Sequence, residues 1–130
     1  MKVNRYDIML LVIFVKKDKI YLVSFIVLLL DQMIKFIITK NMQVLESIAV
    51  IPNFFQIHYI QNEGAAWGIL NNQTFILILI GALALILLNR YLQKEATFTK
   101  VSVLGYGLLM GGMMGNLIDR ILHNHVIDYL

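Results

Sequence analysis

Cysteine is absent from the 130 residues, which excludes a disulfide framework, thiolate metal sites and any cysteine nucleophile. Proline occurs once, so little interrupts long helices. Charge is scarce: Asp, Glu, Lys and Arg make up 15%, where about 25% is usual in soluble domains. Also missing are a Gly-x-Ser-x-Gly elbow, a P-loop, a dinucleotide fingerprint and a His-Glu-x-x-His pair, each the spacing that one chemistry requires. Apolar residues fill the chain instead, at 59%, against roughly 45–50% in soluble domains. That composition excludes a disordered chain and favours one membrane domain.

A bilayer core about 30 Å thick takes roughly 20 mostly apolar residues in a helix. Three stretches reach that length: residues 20–38, 69–88 and 101–122. Residues 1–19 contain only eight consecutive apolar residues, Ile8 to Val15, too few to span, and are read as a cytoplasmic or interfacial extension. Lys2, Arg5, Lys16, Lys17 and Lys19 precede the first span, Arg90, Lys94 and Lys100 lie between the second and third, and Lys40 stands alone on the other side. This asymmetry puts the N-terminus and the 89–100 loop in the cytoplasm and the 41–68 loop outside. The net charge of +3 therefore reads as topology, and nucleic acid is not an expected partner.

The outward loop is more than a linker. Ile51-Pro52-Asn53 marks a turn, Phe54 to Ile60 reads as a strand, and Asn62-Glu63-Gly64 as a tight turn, so a small extracytoplasmic β-element is expected. Tyr59 and Trp67 suit an interfacial aromatic belt. The expected fold class is all-α and polytopic, with three transmembrane helices and that β-element.

The informative residues are those that hydrocarbon rejects, since ionisable groups inside spans mark either pairing or function. Asp31 and Lys35 are four apart on one helical face, where they either merely neutralise each other or serve a site. Gly107, Gly111 and Gly115 form a stripe that lets another helix come close. Asp119 continues the stripe, with Asn116 and Arg120 clustered beside it; an electrostatic clamp on the helix end competes with a functional role. Asp128 lies between apolar neighbours near the membrane boundary, where lost hydration suits a general acid or base. On one continuous helix, Asp119 and Asp128 would stand about 13–14 Å apart, too far to share a proton. His123 and His125 lack metal-ligand spacing and read more simply as interfacial polar residues than as a metal site.

Together these segments resemble lipoprotein signal peptidase (signal peptidase II), the bacterial intramembrane aspartic protease family. The resemblance runs from about Ile20 to Leu130. Asp31-Gln32-Met33-Ile34-Lys35 is similar to the first-span motif, with Ile34 where Ser or Thr is usual. Asn62-Glu63-Gly64-Ala65-Ala66-Trp67-Gly68 matches N-x-G-A-A-[FW]-G. Gly111-Gly112-Met113-Met114-Gly115-Asn116-Leu117-Ile118-Asp119-Arg120 matches G-G-x-x-G-N-x-x-D-R, and Val126-Ile127-Asp128-Tyr129 matches V-[VI]-D-[FY].

The resemblance implies a four-helix bundle in the bacterial inner membrane, with a β-cradle over the site. It makes Asp128 one of two catalytic aspartates, and gives Asp31, Lys35, Asn62, Asn116, Asp119 and Arg120 supporting or substrate-positioning roles. The implied substrate is a diacylglyceryl-modified prolipoprotein, cut just before the lipidated cysteine. Implied partners are membrane lipids and globomycin-type inhibitors, for a monomeric chain needing no metal or cofactor. The second aspartate belongs to an F-N-x-A-D motif that opens a fourth span, and no residue here matches it. The chain is accordingly expected to be a C-terminally truncated, inactive or nearly inactive member. Two rivals remain: a small ion or proton transporter or channel subunit using Asp31, Lys35 and Asp119, and a fragment that binds prolipoprotein without cutting it.

Overall fold

The computed structural model describes residues 17–65, 69–95 and 98–129, so the expectations placed on residues 1–16 and on Trp67 lie outside the described residues. Among the described residues, three helices long and apolar enough to cross a membrane carry the fold: α1 (Asp18–Asn41), α2 (Thr74–Lys94) and α3 (Lys100–His123). Short strands accompany them: β1 (Ser47–Ile51), β2 (Phe55–His58), β3 (Ile60–Asn62) and β4 (Val126–Asp128). β1 pairs with β2 and β3 with β4, both antiparallel. The molecule is thus mostly helical with a small β-element, as the three apolar stretches predict.

α3 packs on both other helices, and most closely on α1. The glycine stripe makes that approach possible. A Cβ on Gly107 would enter the Val23 side chain, one on Gly111 would sit 2.7 Å from the Ser24 carbonyl oxygen, and one on Gly115 would meet the Asp31 carboxylate. At one end Ile20, Leu92, Phe98 and Val103 form a core. A polar chain ties α1 to α2 near it: Lys17 Nζ donates to Gln93 Oε1 (2.7 Å), Gln93 Nε2 to Tyr21 Oη (2.8 Å), and Tyr21 Oη to Asn89 Oδ1 (2.8 Å). At the other end Ile38, Met42, Tyr59 and Ile127 form a second core beneath the strands. Between these ends Phe25, Leu29, Phe36 and Leu83 are all more than half exposed, an apolar surface that lipid would cover.

Two expectations change. The single strand from Phe54 to Ile60 is two strands that exchange partners at Tyr59. Tyr59 is buried in the second core, its N–H donates to the Glu46 carbonyl (3.0 Å) and its own carbonyl accepts from Leu45 (2.8 Å). β2 thus faces β1 while β3 turns to β4, a strand supplied from after α3. The second helix begins at Thr74 and not at residue 69, because Leu70 and Asn72 take positive φ values of 58° and 62°. That left-handed backbone cannot continue a helix.

Candidate active site

Asp31, Gln32 and Lys35 lie on the part of α1 that faces α3. Lys35, 3% exposed, spends its three N–H bonds on three acceptors: Asp119 Oδ2 (2.7 Å), Asp31 Oδ2 (3.0 Å) and Asn116 Oδ1 (3.0 Å). Gln32 Nε2 bridges the two carboxylates, donating to Asp31 Oδ2 (3.2 Å) and Asp119 Oδ1 (3.1 Å). Gly115 is what allows it, since only a residue without a side chain leaves room for the Asp31 carboxylate. An ammonium so fully engaged cannot act as a free amine nucleophile.

α3 opens with Thr99, whose hydroxyl accepts from Ser102 N–H (3.0 Å), and closes at Asn124, left-handed at φ 64°, the usual geometry of a helix stop. The chain then doubles back, so Asp119 and Asp128 do not lie on one helix, and the 13–14 Å separation does not apply. β4 returns against the helix end, where Ile127 N–H donates to Asp119 Oδ2 (3.1 Å). Asp119, 1% exposed, therefore joins α1, α3 and β4. One residue further on, Asp128 Oδ2 accepts from Asn62 Nδ2 (2.8 Å). Asn62 Oδ1 in turn accepts from Gly64 N–H (2.9 Å), and Arg120 donates to the Gly64 carbonyl (2.9 Å). Because its oxygen is taken by Gly64, the Asn62 amide must present its N–H to Asp128.

These groups surround a cavity of about 280 Å³, lined by Asp31, Lys35, Ile60, Asn116, Ile127, Asp128 and Tyr129. Asp31, Lys35, Asn116 and Asp128 thus meet at one place, with Asn62 and Arg120 behind Asp128 and Asp119 beneath the floor. Burial, and then the Asp31 carboxylate, push the Tyr129 phenol above its ordinary value, with Lys35 opposing. His123 and His125 sit elsewhere, with ring centroids 6.0 Å apart, on a second cavity of about 410 Å³ beyond Lys35 and Ile127. No group of three or more His, Cys, Asp or Glu among the described residues is placed to hold a metal ion.

Sequence reasoning overlooked Gln32, Gly64 and Tyr129. Gln32 carries a usable signal: its polar amide adjoins Asp31 in an otherwise apolar span. The role of Gly64 is a backbone one, invisible without the fold.

Residues 23–130 match the family described as signal peptidase (SPase) II. The chain is 43% identical over 111 residues to a lipoprotein signal peptidase of Halothermothrix orenii, covering 85% of this chain and 76% of that protein. It is 38% identical over 109 residues to the lipoprotein signal peptidase of Bacillus pumilus, covering 84% and 70% respectively. Two solved structures of a bacterial membrane enzyme, at 2.3 and 1.9 Å resolution, superpose with TM-scores of 0.78 and 0.74. Both are 35% identical to the chain and share 85% of its length, which is 67% and 71% of theirs. With an apolar three-helix frame, a cavity lined by both charged and apolar side chains at its strand-bearing end and these likenesses in hand, the chain belongs to the signal peptidase II family of membrane proteases.

Proposed function

We propose that this chain serves an aspartic endopeptidase that removes signal peptides from diacylglyceryl-modified prolipoproteins, cutting just before the lipidated cysteine. The basic residues that precede α1 and lie between α2 and α3 would place the N-terminus in the cytoplasm and the cavity at the outer boundary of a bacterial inner membrane. Globomycin-type inhibitors would compete for the same cavity.

The observation that carries this reading is the position of Asp128. Its carboxylate is held at one oxygen by Asn62 and borders a cavity beside the ends of α1 and α3. In an aspartic mechanism two neighbouring carboxyls share one proton, since both cannot ionise readily. The ionised member takes a proton from water as the water attacks the scissile carbonyl, and the protonated member polarises that carbonyl. Asp119 does not serve as the second acid, because Lys35, Gln32 and Ile127 N–H occupy both its oxygens. The family's F-N-x-A-D aspartate matches none of the 130 residues. On this reading the chain alone binds substrate and supplies one acid.

Cleavage of a lipid-modified prolipoprotein tests the proposal, using this chain and a fusion that continues it with the C-terminal portion of the Halothermothrix orenii relative. Binding without turnover is expected of the first, and turnover of the second. Asp128→Asn should abolish the turnover; an undiminished rate would refute the assignment. The transporter reading has less support, because Asp31, Lys35 and Asp119 converge at one point where an ion path needs groups at successive depths.

A further inference from the structure

The cavity wall carries the Asp31 and Asp128 carboxyls against one ammonium, that of Lys35, with the Arg120 guanidinium behind Asp128 and near Asp119. Asp31 and Asp119 share a single ammonium, that of Lys35, which lies closer to Asp119 (2.7 Å) than to Asp31 (3.0 Å). All three Lys35 N–H bonds point into this cluster and none into the cavity. Asp119 is sealed beneath, at 1% exposure, whereas Asp31 borders the cavity at 18%. Among the described residues, both polar contacts of the Asp31 carboxylate fall on Oδ2, from Lys35 and Gln32. No buried side-chain oxygen among the described residues lacks a partner, so the unpartnered Asp31 Oδ1 is reached by solvent. Asp128 contributes a second carboxyl to the same wall, and among the described residues only its Oδ2 accepts a hydrogen bond. Such a cavity attracts a cation that can donate hydrogen bonds.

Peptide hydrolysis creates such a cation. Water supplies its hydroxyl to the acyl carbon and a proton to the departing nitrogen. At neutral pH the new acid releases a proton and the new amine gains one, leaving a carboxylate and an α-ammonium. We propose that Asp31 Oδ1 binds the α-ammonium of the lipid-bearing product, an assignment that rests on the peptidase reading above.

The test needs binding only, and so uses the 130-residue chain in nanodiscs. The probes are a diacylglyceryl-cysteinyl pentapeptide with a free α-amine and its α-N-acetyl counterpart. At pH 6.5 the free amine should bind about tenfold tighter, as a charge-assisted hydrogen bond provides. That ratio should fall toward one by pH 9, through the ordinary α-amine range of about 7.7–8.0. The acetylated peptide corrects for titration of the groups around the cavity, namely Asp31, Asp128, Lys35 and Tyr129. Asp31→Asn should erase the preference, whereas Asp128→Asn, which removes the more distant of the two wall carboxylates, should lower it by less; the reverse pattern overturns the assignment. Equal affinities in the unmodified chain, or a ratio that ignores pH, also overturn it and leave the peptidase reading standing. Failure of both peptides to bind counts against the peptidase reading itself.

Discussion

Replacing Lys35 by methionine should destabilise the protein more than any other single change in the cavity wall. Methionine keeps most of the stem but removes the ammonium, leaving the Asp31 and Asp119 carboxylates on facing helices with no cation between them. With Lys35 at 3% and Asp119 at 1% exposure, water cannot replace the lost partner at the buried end. Removing one member of a buried ion pair costs about 3–5 kcal/mol. The Asn116 carbonyl also loses its donor, which adds about 1 kcal/mol. Reversible unfolding in mixed micelles, followed by tryptophan fluorescence or circular dichroism, measures the loss directly. The double variant Lys35→Met with Asp119→Asn should recover part of it, because the amide carries no charge yet can still accept from Ile127 N–H. A Lys35→Met protein within about 1 kcal/mol of the parent would refute the argument, and would mean the cluster is hydrated or protonated in the membrane.

Other consequences are as direct. Gly111→Ala places a Cβ 2.7 Å from the Ser24 carbonyl oxygen and from Val27 Cβ, and should cost about 1–3 kcal/mol in the same unfolding assay. Thr99→Ala removes the hydroxyl that accepts from Ser102 N–H and should cost about 1 kcal/mol. In the fusion with the Halothermothrix orenii segment, Asn62→Ala frees Asp128 to rotate and should lower kcat on the order of a hundredfold, with a smaller change in KM. The Tyr129 phenol, raised mainly by burial, favours the folded state below its ordinary value of 10.0. That stability is lost as pH climbs beyond it, so the difference between the parent and Tyr129→Phe in unfolding midpoint should shift against the parent between pH 9 and 11.

Local pattern along the chain accounts for the helices and for the faces they present. Apolar run length set the three helices, because a bilayer demands a fixed length of hydrocarbon-compatible chain. Four-residue spacing set the glycine stripe and the Asp31–Lys35 face, because helical geometry repeats over that interval. Motif order disclosed the family, and Asp31, Lys35, Asn116 and Asp128 as residues to watch. Other features arise only from packing between distant segments. That β2 and β3 change partners at Tyr59 follows from a strand arriving from beyond α3. That Asp128 comes back to Asn62 depends on a left-handed Asn124 ending the helix one residue after His123. That Asp119 is a buried brace, with Asp31 left to face the cavity, depends on which carboxylate the Lys35 ammonium lies closer to and on the space above Gly115. Burial and hydrogen-bond direction are properties of packed pairs, and residues 66 or 87 positions apart in the chain acquire them only once the helices have closed.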